Sequence, residues 1–211
     1  RILAASCAAE TGGSELVKKL SALLLDPSLK DENIANGKQS IRSTAGKVAR
    51  KLQPADMNDV LFNLVSNRDS VDVLAAGLCN YFGSNTPRAG ELSQEIINRW
   101  FDSDGLYEQR AVLKAIIFMG QHTEHADTAV LMSAVTREQY INKTVEAMGK
   151  VRSPVFFAPL EEILRTRPDT EVWRIAAGAT VQYMNDEAAE LLLKAAAWAA
   201  DSAICLAAAK A

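Results

Sequence analysis

Residues 174–181 read Arg-Ile-Ala-Ala-Gly-Ala-Thr-Val, one cation followed by a run of small and apolar side chains. The same form returns in both directions along the chain. It is found at Arg1-Ile-Leu-Ala-Ala-Ser-Cys, Arg42-Ser-Thr-Ala-Gly-Lys-Val, Asp72-Val-Leu-Ala-Ala-Gly-Leu, Arg110-Ala-Val-Leu-Lys-Ala-Ile and Ala203-Ile-Cys-Leu-Ala-Ala-Ala. A weaker copy, Lys143-Thr-Val-Glu-Ala-Met-Gly, fills the widest gap. A repeat of roughly thirty residues, each copy a short helix followed by a turn and a second apolar helix, implies stacked helical hairpins.

Outward from these copies, the second helices show amphipathic stripes. Leu16, Leu20, Leu23 and Leu24 follow the Gly12-Gly13 break, with Ser14 as the expected N-cap. Met57, Val60, Leu61, Leu64 and Val65 follow Pro54, and Leu92, Ile96, Ile97 and Trp100 follow Pro87. The hairpins are expected to pair 1–9 with 14–25, 39–52 with 55–65, 70–82 with 87–101, 106–119 with 126–135, 139–150 with 154–165, and 170–184 with 186–200. Breaks fall at Gly83-Ser84-Asn85 and Gly120-Gln121-His122, and the longest loop runs from Asp26 to Gln39. No segment reads as a strand. The recurring small residues Ala45, Gly46, Ala75, Ala76, Gly77, Ala176, Ala177 and Gly178 are expected to let stacked helices approach closely, since a helical glycine costs roughly 1 kcal/mol relative to alanine.

Composition agrees. Apolar residues make up 48% of the 211 residues and aromatics only 6%, a balance that favours tightly packed helices over sheet. The net charge of −3 gives no global attraction to nucleic acid or anionic lipid. No apolar run reaches the roughly 18 residues of a membrane helix. Cys7, Cys79 and Cys205 sit in small-residue helices and read as buried free thiols, which points to a reducing, cytoplasmic setting. Both ends of the chain fall inside repeat helices and read as cuts through a longer array.

The pattern resembles the HEAT-like repeats, specifically the short class named after phycobilisome lyases, in which a polar residue opens a first helix of the form Arg-x-x-Ala-Ala-x-Ala-Leu. Arg174–Val181, Arg42-Ser-Thr-Ala-Gly-Lys-Val-Ala and Arg1-Ile-Leu-Ala-Ala-Ser-Cys-Ala fit it best. The resemblance implies a right-handed superhelical α-solenoid of about six hairpins, forming one domain over 1–211. It also implies a non-catalytic scaffold that binds a protein or peptide through its concave face. The class includes scaffolds, lyase subunits, a hydroxylase and DNA glycosylases. A narrower similarity, in Gln109-Arg-Ala-Val-Leu-Lys-Ala-Ile-Ile-Phe, is to the EboA family, which is associated with metabolite traffic; it implies a small-metabolite or lyase-like role as an alternative.

No catalytic, cofactor or metal constellation stands out. His122 and His125 flank Glu124 three apart in a turn, whereas zinc-binding histidines on a helix lie four apart with a third ligand elsewhere. The His-Glu dipeptides that iron-binding HEAT-like hydroxylases share are absent. Asp102, Asp104 and Glu108 lack calcium-loop spacing and read as a helix entry. Gly12-Gly13 lacks the lysine of a phosphate loop. Two basic groups remain. Lys38, Arg42, Lys47, Arg50 and Lys51 form a candidate patch for a partner or for phosphate, and Lys150, Arg152, Arg165, Arg167 and Arg174 are expected to share a face with it. Trp100, Trp173 and Trp198 read as core, and the acidic net charge disfavours nucleic acid.

Overall fold

The computed structural model describes residues 14–26, 54–67, 72–79, 82, 86–167 and 170–198. Among these residues every regular element is helical. The α-helices are α1 (Ser14–Leu25), α2 (Pro54–Ser66), α3 (Asp72–Leu78), α4 (Pro87–Trp100), α5 (Leu106–Gln121), α6 (Thr128–Ala134), α7 (Ile141–Val151), α8 (Phe157–Thr166), α9 (Glu171–Val181) and α10 (Asp186–Trp198). Short 3-10 turns lie at Thr123–His125 and Pro154–Phe156. The first helices expected at 1–9 and 39–52, and the copy at 203–209, lie outside the described residues. The chain divides into two compact units, Arg1–Ala115 and Ile116–Ala211, with the boundary inside α5.

In the first unit α2 is central and packs against α1, α3 and α4. Its stripe of Met57, Val60, Leu61, Leu64 and Val65 is buried, as are Leu92, Ile96, Ile97 and Trp100 on α4. Both stripes match the sequence periodicity because each helix has one apolar wall to satisfy. Thr86 caps α4 by accepting from the Ala89 amide at 3.1 Å, and Pro87 opens the helix where its missing donor costs nothing. Asn58 on α2 donates to the same Thr86 hydroxyl at 3.2 Å. At the other end, Arg99 of α4 donates to the carbonyls of Val65 and Asn67, supplying partners at the C-terminal end of α2. Cys79 is buried as a free thiol, and burial pushes its titration far above the ordinary thiol range.

In the second unit α7 packs on α6 and α9, α9 on α8 and α10, and α8 on α10. Two glycines mark close approaches between helices. A Cβ placed on Gly149 of α7 would lie 2.7 Å from the Ala179 Cα of α9 and 2.8 Å from its Cβ. A Cβ on Gly120 of α5 would lie 2.9 Å from both the Cα and the Cβ of Ala147 on α7. Thus α7 touches one neighbour through Ala147 and the other through Gly149. The expectation placed close packing at Gly77 and Gly178 instead, and that is corrected: a Cβ on either would meet nothing within 4 Å, and Gly178 is exposed. The expected break at Gly120 is corrected too. The helix continues to Gln121, and Gly120 is the contact point against Ala147.

The turns of this unit are held by side chains. Asp127 accepts from the amides of Ala129 and Val130 at the start of α6, at 2.9 and 3.2 Å. Thr170 accepts from the Trp173 amide at the start of α9. The buried Trp173 indole donates to the Leu164 carbonyl at 2.9 Å, which places the C-terminal end of α8 beside the N-terminal end of α9. At the opposite end, the Tyr183 hydroxyl bonds to the carbonyls of Ser153 and Met148, at 3.0 and 3.3 Å. Its ring lies 4.6 Å from that of Phe157. That joint brings the ends of α7 and α9 and the start of α8 together.

Candidate functional site

The basic patch expected at Lys38, Arg42, Lys47, Arg50 and Lys51 lies outside the described residues. The second basic group does not form one line. Lys150 lies in the last turn of α7 and Arg152 caps its C-terminal end, at the Tyr183 joint. Arg165 and Arg167 lie at the C-terminal end of α8, at the opposite end of the same layer, with Arg174 one turn into α9. The ten residues of α8 separate the two ends by about 15 Å. Arg165 is also engaged by Glu162, and Arg167 by Glu138 at 3.0 Å. A phosphate backbone would have to displace those carboxylates.

The histidine turn packs on an aromatic ring. His122 and His125 both lie against the buried ring of Phe118, with centroid distances of 4.6 and 5.7 Å. They close the end of α5, and Asp127 is committed to capping α6. No set of three or more His, Cys, Asp or Glu side chains gathers into a possible metal site among the described residues. Asp102 and Asp104 precede α5, and Glu108 lies in its first turn. The Glu108 carboxylate folds back over Gly105, filling the space that a side chain there would need.

A further exposed surface among the described residues is the outward face of the second helices α8 and α10. These two helices pack on each other, with Phe157, Leu160, Ile163 and Leu164 buried on α8 and Ala188, Leu191, Leu192 and Ala195 buried on α10. Their other sides carry Glu161, Glu162 and Arg165 on α8, and Glu187, Glu190, Leu193, Lys194 and Trp198 on α10, all exposed. Lys194 pairs with Glu190 at 2.9 Å. The hydrogen bond to Glu190 and that residue's charge hold the ammonium above its ordinary range, and Glu161 across the helix pair adds to the effect. The exposed sides of the two helices are mainly acidic, with two apolar side chains on α10. Leu193 is 64% exposed and Trp198 37% exposed, so the expectation that all three tryptophans are core is corrected at Trp198.

Sequence reasoning missed this face because the run Leu191-Leu192-Leu193 hides which leucine points outward. The available signal was spacing: Ala188, Leu191, Leu192 and Ala195 complete a helical stripe by themselves, and Leu193 falls off it.

No family model matches the chain, and no curated protein matches it. Among the described residues no helix is long and apolar enough to cross a membrane.

Proposed function

We propose that this chain is a HEAT-like α-solenoid scaffold that binds a protein or peptide partner through the outward face of its second helices. The observation that carries the reading is the packing order in the second unit. Second helix α8 lies on second helix α10, first helix α7 lies on first helix α9, and α9 also joins α8 and α10. Hairpins stacked in that manner present a surface of like helices side by side, which suits an extended partner. The step from such a stack to partner binding is an argument from architecture. Local support comes from Leu193 and Trp198, large apolar side chains left in water beside charged neighbours, a composition common in interfaces. A small-metabolite role would instead need a cavity with convergent polar groups.

Site-specific cross-linking tests the reading. A photoreactive side chain is placed at Leu193 on the second-helix face, and separately at Gly178, the open position on first helix α9. The expected result is a discrete protein adduct from position 193 and none from 178, lost when Glu161 and Glu190 are changed to lysine. Adducts of equal yield from both positions, or none from position 193, would overturn it.

A further inference from the structure

The five methionines of the chain divide by burial into two sets. Met57 on α2 is 1% exposed, and Met119 on α5 and Met148 on α7 are fully buried. Met132 on α6 is 37% exposed, and Met184, in the turn between α9 and α10, is 76% exposed. The neighbours of Met184 hold it there. On one side, the Tyr183 hydroxyl donates to the Ser153 and Met148 carbonyls, and its ring lies against Phe157. On the other side, the Asn185 side chain accepts from the Ala188 amide at 2.8 Å, and its backbone carbonyl accepts from the Ala189 amide at 3.1 Å. The Met184 amide itself donates to the Val181 carbonyl at 3.3 Å. With the backbone fastened before and after it, the Met184 thioether cannot retreat into the packed layers unless an anchor breaks. Cys79, by contrast, is buried and offers an oxidant no thiolate.

We infer that Met184 is an oxidant-responsive modification site, converted by hydrogen peroxide to methionine sulfoxide with the fold retained, and restored by a thiol-dependent sulfoxide reductase. The sulfur lone pair attacks one peroxide oxygen as the O–O bond breaks and an S–O bond forms. The other oxygen leaves as hydroxide and takes up the proton shed by the first, giving water. Sulfur loses two electrons and peroxide gains them. In the reverse step two reductase thiols supply two electrons, become a disulfide and release the oxygen as water. The sulfoxide replaces an apolar thioether with a polar group, which disrupts a packed core. At Met184 the new dipole meets water instead, so one oxidising equivalent is taken up at a turn while α9 and α10 stay packed.

Peroxide treatment of the whole chain, with peptide mapping by mass spectrometry, reads each methionine separately. Met184 should oxidise first and Met132 second. Met57, Met119 and Met148 should lag behind Met184 by roughly a hundredfold, since a buried sulfur reacts only through local opening. When Met184 is fully oxidised and those three are intact, the thermal midpoint should equal that of the untreated chain. Methionine sulfoxide reductases acting on the two sulfoxide epimers should then return Met184 to its starting mass. Met184→Leu should lose the first oxidation event alone. Met184→Gln, which puts a polar side chain in the turn without any oxidant, should keep the parent midpoint. Oxidation of Met132 or of a buried methionine ahead of Met184 would overturn the inference. So would a midpoint that falls in step with Met184 oxidation or in Met184→Gln, or a sulfoxide that the reductases leave in place.

Discussion

Replacing Gly149 and Gly178 by alanine, one at a time, should move stability in opposite directions. Both glycines lie within helices of the second unit, and alanine favours an isolated helix over glycine by about 1 kcal/mol. At Gly178 nothing lies within 4 Å of the new methyl, so Gly178→Ala should keep most of that gain. At Gly149 the methyl would lie 2.7 Å from the Ala179 Cα and 2.8 Å from its Cβ, where carbon atoms prefer roughly 3.5–4.0 Å. The obstructing atoms belong to, or are bonded directly to, the α9 backbone, so no rotamer change relieves them and the helices must part. Overpacking of this kind costs about 1–3 kcal/mol. Against the helical gain, Gly149→Ala should lose about 1–2 kcal/mol, because a rigid obstruction falls in the upper part of that range. Urea titration followed by far-ultraviolet circular dichroism, with the parent chain alongside, measures both changes. A Gly149→Ala variant as stable as the parent would refute the close α7–α9 contact. A Gly178→Ala variant that loses as much as Gly149→Ala would refute the assignment of which glycine faces the neighbouring helix.

Two further outcomes follow from buried polar groups. The Tyr183 phenol is pushed up to about 12 by burial, above its ordinary value near 10, so its stabilisation is full below about pH 10 and is lost as pH rises toward 12. Tyr183→Phe should cost about 1 kcal/mol at neutral pH from the lost hydrogen bonds, and the gap between parent and variant should close across that alkaline window; a gap that stays constant to pH 12 counts against the Tyr183 joint. Burial keeps the Cys79 thiol protonated, so with Cys7 and Cys205 changed to serine, Ellman's reagent should label the folded chain no faster than it opens. Rapid labelling at neutral pH would show that α3 is not packed as described.

The helical class and most second helices were legible from the sequence because an amphipathic stripe is a local signal. The wall of α2 from Met57 to Val65 and that of α4 from Leu92 to Trp100 are both buried where the periodicity placed them. Helix ends were less legible. Gly120 looked like a break because glycine disfavours helix, and only the position of Ala147 on another helix explains why the chain stays helical there. The same limit applied to the small residues. Ala176-Ala177-Gly178 looked like the contact surface, but which member faces a neighbour depends on a rotation of the helix that alanine-rich sequence leaves open. Ala176 and Ala177 are buried and Gly178 is not.

The candidate surfaces were the least legible for a related physical reason. Helical periodicity marks the residues that meet a neighbouring helix and leaves the outward residues free to vary, so it carries no information about them. Leu193 and Met184 show this. Each reads as one more apolar residue among many, and each becomes informative only through its exposure in the fold. Arg152 shows it for backbone: a left-handed arginine has the same letter in the sequence as a helical one, and its φ of 56° reveals that glycine would have folded there with less strain. Among the described residues, Leu193, Met184 and Arg152 depart in this way from the local preference for burial or for glycine. Departures of that kind are where selection for binding is separable from selection for folding; Leu193 lends that local support to the proposed second-helix face, whose main support is the packing order of the helices.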